Sequence, residues 1–116
     1  MSKLTKNIPT PFKEKLTSRV DVPFILTFRR KLHNQYRFVD LSKNDLKNLQ
    51  SFFDLAGECS VTQMDKRYRR KTDSTDTLDG LQVIHYGANT PLRIHGVYIN
   101  QRFEVVRIDA KHKKHK

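Results

Sequence analysis

Hydrophobic and polar positions along the chain follow the period of a helix in some segments and that of a strand in others. The best-marked segment has the helical period. Ser42 stands before an apolar stripe as an N-cap, and Asp45 stands three residues later as in a capping box. Gly57 follows the stripe as a helix stop. The members of the stripe are Leu46, Leu49, Phe52, Phe53 and Ala56. The pattern predicts a core helix between Ser42 and Gly57, with Leu41 and Leu46 at the two hydrophobic-staple positions.

A second helix is expected from about residue 60 to residue 70. Ser60 and Gln63 have the spacing of another capping box. Val61, Met64 and Tyr68 are expected to face inward, which leaves the basic residues of this segment facing solvent.

Runs of β-branched and aromatic residues predict the strands. They lie at 22–32, 81–87, 92–99 and 102–109, with an optional short strand at 36–41. Residues 73–80 have the composition of a loop. Gly96, inside a strand, indicates a β-bulge or a close approach of backbone. The order β-(β)-α-α-β-β-β predicts an α+β fold, a small antiparallel sheet with two helices covering one face.

The length of 116 residues allows one domain and one core. We expect a basic, loosely ordered arm at 1–21, a single α+β domain at 22–109 and a basic tail at 110–116. No apolar run reaches the roughly 18 residues of a membrane span, and residues 1–16 lack a secretory h-region. These features predict a soluble, cytoplasmic protein. Cys59, the single cysteine, excludes an internal disulfide and is expected to be a small buried residue between the helices.

The strongest indication of function is the net charge. Lysine and arginine number 23 against 12 acids, which gives a net charge of +11 and a pI near 10.0. Such a balance attracts polyanions through their phosphates. The basic residues cluster at 66–71 and 110–116, which favours RNA binding over a merely basic surface. The candidate nucleic-acid contacts are Lys66, Arg67, Arg69, Arg70, Lys71, Arg102, Arg107, Lys111, Lys113 and Lys114.

The last third of the chain also places chemically useful side chains on strands. The candidate catalytic residues are Arg93, His95, Tyr98, Asp109 and His112, with His85 on the preceding strand. Arginine stabilises charge on a phosphorane-like transition state, and histidine, carboxylate or tyrosine can move the protons. This set suits cleavage of RNA by its own 2′-OH, without a metal or cofactor. The alternative is structural: strand histidines are often buried, and an aspartate can simply end a strand.

A metal site formed by Asp109, His112 and His115 is disfavoured, because lysines alternate with these potential ligands and repel a cation. No phosphate loop or nucleophile elbow is present. We therefore predict no bound metal.

Residues 92–112, LRIHGVYINQRFEVVRIDAKH, combine an Arg-x-His-Gly opening, a Phe-x-Val-Val strand and an Ile-Asp-x-x-His ending. This segment resembles the last hairpin of the RelE/ParE superfamily of bacterial toxins, whose element order is similar over roughly 24–112. The arm at 1–21 and the insert at 31–38 depart from that family.

The resemblance implies an mRNA interferase, acting on free or ribosome-bound RNA and neutralised by an antitoxin protein. Carried over by position, Arg93 would stabilise the phosphate, His95 and Tyr98 would transfer protons, and Asp109 with His112 would assist. Two alternatives stay open at this stage. One is a non-catalytic module that binds nucleic acid through its charge. The other is an inhibitor of a protein target, such as a phage-encoded blocker of a nucleic-acid enzyme.

Overall fold

The computed structural model describes residues 21–72 and 74–110. The predicted arm and tail, apart from Asp21 and Ala110, lie outside the described residues, as do His112, Lys111, Lys113 and Lys114. The elements in chain order are β1 (Leu26–Thr27), a 3-10 helix (Phe38–Asp40), α1 (Lys43–Ala56), α2 (Val61–Arg67), β2 (Arg69–Arg70), β3 (Thr77–Leu78), β4 (Leu81–Gln82), β5 (Ile84–Tyr86), β6 (Arg93–Ile99) and β7 (Arg102–Asp109). The class is α+β, as predicted.

Both helices begin where the capping signals place them. The Ser42 side chain accepts a hydrogen bond from the Asp45 amide, and the Asp45 carboxylate accepts one from the Ser42 amide. Ser60 and Gln63 make the same reciprocal pair at the start of α2. These bonds satisfy amides that have no partner within the helix, so the predicted starts are confirmed.

Two details of the helices differ from expectation. Leu46 is exposed, so the stripe of α1 is narrower than predicted. α2 ends at Arg67, and Arg69 with Arg70 form the edge strand β2 instead of the last helical turn. Cys59 is buried between the helices as predicted, with its thiol donating to the Leu55 carbonyl.

Five strands form one sheet in the order β1-β7-β6-β5-β2. The pairings are antiparallel except for β1, which runs parallel to β7; this corrects the expectation of an all-antiparallel sheet. The predicted strand at 22–32 is reduced to two residues, Leu26 and Thr27. The optional strand at 36–41 is a 3-10 helix. β3 and β4 form a separate hairpin, partly within the predicted loop.

The helices cover one face of the sheet. Phe52 and Met64 are buried there against Ile94, Phe103 and Ile108 of the two longest strands. Burying each such side chain stabilises the fold by about 1.5–3 kcal/mol. The opposite face carries a smaller apolar group and, beside it, the polar residues that form the candidate site.

Candidate functional site

Four ionisable side chains form a row across the sheet, on the face opposite the helices. On neighbouring strands, Arg70 of β2 lies opposite His85 of β5, His85 lies opposite His95 of β6, and His95 lies opposite Arg107 of β7. A β-bulge places Arg107 in this row, because the pairing shifts between His95 and Gly96 and leaves Val106 as an extra residue of β7. The predicted irregularity at Gly96 is therefore confirmed, although the extra residue belongs to the partner strand.

An aspartate closes the row from above. Asp76 precedes the β3–β4 hairpin, and its carboxylate accepts two hydrogen bonds from Arg107, at 2.9 and 2.8 Å. The same carboxylate lies 2.9 Å from Nε2 of His85. The His85 and His95 rings stack with centroids 3.6 Å apart and planes at 10°. Nε2 of His95 lies 4.0 Å from the carboxylate of Asp109. These residues form one ionic cluster, named here the Asp76 cluster.

The Asp76 cluster is closed to solvent. His95 is 0% exposed and Asp109 is 1% exposed. Leu78 of the hairpin packs on Val83, Val97 and Val106, next to the cluster. Arginine, histidine and carboxylate together can move protons and stabilise an anion. In this conformation the anion that Arg107 binds is the protein's own Asp76.

Arg93 lies at the border of this face, paired in register with Asp109. Its guanidinium donates to the carbonyl oxygens of Thr90 and Leu92. Burial, and next the charge of Arg70, lower the pKa of Arg93, while Asp109 opposes that shift. Arg93 thus lies on the same strand as His95 and opposite Asp109, but its guanidinium is bound to backbone carbonyls.

Tyr98 lies on the other face of the sheet. Tyr98 is a predicted catalytic residue, but it does not share a face with His95, because the extra residue lies in β7 and side chains of β6 keep alternating. The Tyr98 hydroxyl is 2.7 Å from that of Tyr86, which donates to Asp65 of α2. Burial first, then these hydrogen bonds, raise the pKa of Tyr86.

The predicted nucleic-acid contacts divide into exposed and buried residues. Lys66, Arg67, Arg69 and Lys71 are exposed at the end of α2 and along β2, and we name these four residues the basic edge. Arg102 is exposed beside the β6–β7 turn. Arg70 is half-buried and donates to the carbonyl oxygens of Gly87 and Ala88. Arg107 is 4% exposed and held by Asp76.

Two carboxylates that form partly buried ion pairs, those of Asp76 and Glu104, were not identified from the sequence. Asp76 was part of a segment interpreted as an acidic loop, and its partner Arg107 is 31 residues away. Glu104 received no role from the sequence; it is buried and bound by Arg30, which also reaches Asp79 at 3.3 Å. One local signal was present: Asp79-Gly80 between Leu78 and Leu81 is typical of a tight hairpin, and both turn residues have positive φ.

Within 21–72 and 74–110, no helix has the length and apolar character that a membrane span requires. Over the same residues, no three histidine, cysteine or carboxylate side chains are arranged as ligands for a metal ion. His112 and His115 lie outside that range.

Comparison with known proteins found no relative of this chain: no family model, no curated protein and no solved structure matches it.

Proposed function

We propose that this protein binds RNA through the basic edge. The observation that supports this most directly is the exposure of four basic side chains where α2 ends and the edge strand β2 begins: Lys66, Arg67, Arg69 and Lys71. Among the described residues, one ion pair involves them, Arg69 with Asp65 at 3.7 Å. Exposed cations of this kind bind phosphates and release counterions, which gives affinity without base specificity.

Salt dependence tests the proposal. Binding of a labelled single-stranded RNA is followed by fluorescence anisotropy at several salt concentrations. Each phosphate contact contributes a slope of about 0.7 in log K against log salt for single strands. The double variant Lys66→Ala/Arg67→Ala should reduce the slope by about 1.4 and weaken binding to all sequences alike.

Lys43→Ala/Lys47→Ala is the matched control, because both lysines are exposed on α1 and the same charge is removed. It should change the slope much less. Equal losses in the two double variants would show that net charge alone attracts RNA and that the basic edge is not the site.

RNA cleavage of the toxin type is a second candidate, supported by the grouping of His95, Arg107 and Asp109 on neighbouring strands. Histidine or carboxylate would take the 2′-OH proton, and the 2′-oxygen would attack phosphorus to form a 2′,3′-cyclic phosphate. The bond to the 5′-oxygen of the next nucleotide would break, and a protonated histidine would give that oxygen its proton. The resemblance to RelE/ParE toxins would add an antitoxin partner. Because the cluster is buried, this reaction also requires the segment that carries Asp76 to move away.

Induced expression in bacteria tests this candidate, with wild type beside His95→Ala. Cleavage predicts growth arrest and new RNA ends bearing a 5′-hydroxyl in the wild type alone. Circular dichroism of purified His95→Ala checks that the variant folds. The absence of arrest and of new ends with the wild type would exclude cleavage under these conditions and leave binding as the proposal.

A further inference from the structure

Two aromatic rings lie exposed at the edge of the sheet opposite the basic edge. Phe28 directly follows β1, and Phe38 begins the 3-10 helix; their side chains are 45% and 43% exposed. Their ring centroids are 5.7 Å apart, with planes at 47°. Val39 beside them is 78% exposed. We name Phe28, Phe38 and Val39 the aromatic patch. Exposed aromatic rings grouped in this way are typical of binding surfaces.

A shallow cavity adjoins the aromatic patch, and its border is basic. It has a volume of about 270 Å³ and is lined by Lys31, Leu32, Asn34, Arg37, Phe38 and Val39. Arg37 lies 3.5 Å from the carboxylate of Asp40. Lys31 is exposed and takes part in no ion pair with the described residues. The occupant that this charge favours is therefore an anion with an apolar, flat part.

We propose that the aromatic patch binds an unpaired base of single-stranded RNA. The base stacks on Phe38, whose ring lines the cavity and is packed against Phe28. Lys31 and Arg37 contact the flanking phosphates, and the amide of Asn34 is available to the base edge. Stacking needs a free ring face, which a base inside a duplex does not offer. The inference rests on the proposed function and adds to it a preference for single strands.

Charge also argues against the chain's own N-terminal segment as the occupant. Residues 1–20 contain five basic residues and one acid, so the basic border repels them. The aromatic patch and the basic edge lie at the two ends of a five-stranded sheet. Four strand spacings separate them, roughly 19 Å, a distance that one short single strand can span.

The experiment compares a labelled oligouridine of about 12 nucleotides, within the usual site sizes of OB folds, with a duplex of equal length. Phe38→Ala should weaken binding of the single strand about 5- to 150-fold, the usual effect of losing one stacked base, and leave duplex binding unchanged. Phe28→Ala removes the ring packed on Phe38 and should weaken binding of the single strand less. Phe38→Tyr keeps a ring and should retain affinity, whereas Phe38→Leu keeps only apolar volume and should lose it. Val39→Ala is the matched control without a ring.

Each outcome decides the inference. Equal affinities of Phe38→Leu, Phe38→Tyr and wild type for the single strand would overturn it, while a loss confined to Lys66→Ala/Arg67→Ala would keep the proposed function alone. No binding of either RNA by the wild type would overturn both. Polyglutamate serves as a model of an acidic peptide. If loss of the rings weakened binding of polyglutamate and left RNA binding unchanged, the aromatic patch would be assigned to a protein partner.

Discussion

At the residue scale, the Asp76 carboxylate joins the hairpin to two strands of the sheet. Asp76→Asn keeps the shape and removes the charge, which leaves Arg107 as a buried cation without its counterion. Breaking a buried ion pair in this way costs about 3–5 kcal/mol, so we expect a loss of this order in the free energy of unfolding. Urea denaturation followed by circular dichroism measures it.

Asp79→Asn is the control for Asp76→Asn in the same hairpin. The Asp79 side chain is 71% exposed and pairs with Arg30, and asparagine tolerates its positive φ of 52°. An exposed pair contributes about 0–1 kcal/mol. If the two variants lost equal free energy of unfolding, the Asp76 carboxylate would not be what joins the hairpin to the sheet.

Tyr86 gives the fold a dependence on alkaline pH. Burial, and then hydrogen bonds with Asp65 and Tyr98, raise its pKa above the ordinary 10.0. Above about pH 10 the unfolded chain releases the phenol proton and the folded protein keeps it, so the free energy of unfolding falls as pH rises. Below that pH the phenol is protonated in both states, and the contribution of Tyr86 to the free energy of unfolding is fully present. Denaturation curves between neutral pH and pH of about 11 should show a smaller fall for Tyr86→Phe than for wild type; equal falls would contradict the assignment.

At the element scale, the β6–β7 pair depends on the absence of a side chain at Gly96. A Cβ there would overlap the carbonyl oxygen of Glu104 and lie 2.8 Å from the Phe103 ring. Gly96→Ala should therefore destabilise the protein by about 1–3 kcal/mol, measured as a change in denaturation midpoint. Gly57→Ala is the control, since Gly57 has a helical φ of −63° and should change stability by less than about 1 kcal/mol. Similar effects at the two positions would contradict close packing at Gly96.

Elements with local signals were predictable, and elements that depend on distant contacts were not. The capping pairs and the β6–β7 hairpin are encoded within a few residues, so their positions followed from the sequence. β1 has two residues and depends on parallel pairing with Phe103 and Glu104, about 77 positions away. The face on which Arg107 and Asp109 of β7 lie depends on the bulge at Val106, and the position of that bulge depends on cross-strand register. Sequence alone could therefore group His95 with Asp109 but could not exclude Tyr98 or find Asp76.

At the scale of the whole molecule, the sheet separates two kinds of surface. One face is covered by α1 and α2, and the other is covered by the hairpin above the Asp76 cluster. The exposed groups proposed to bind RNA lie at the two edges, away from both cores. Binding at the edges therefore needs no rearrangement, whereas cleavage at His95 needs the hairpin to open. The two candidate functions therefore differ in whether the hairpin stays closed or opens.

The rate of chemical modification of the histidines shows whether the hairpin opens. His33 is exposed, whereas His85 and His95 are 1% and 0% exposed beneath the hairpin segment. If the hairpin stays closed, diethyl pyrocarbonate should modify His33 at least about tenfold faster than either cluster histidine, because local opening of a packed segment costs free energy. Mass spectrometry of peptides after short exposures gives the three rates, and Asp76→Asn should speed modification of His85 and His95. Similar rates at all three histidines of the wild type would mean that the hairpin opens readily, and that outcome would favour cleavage over binding alone.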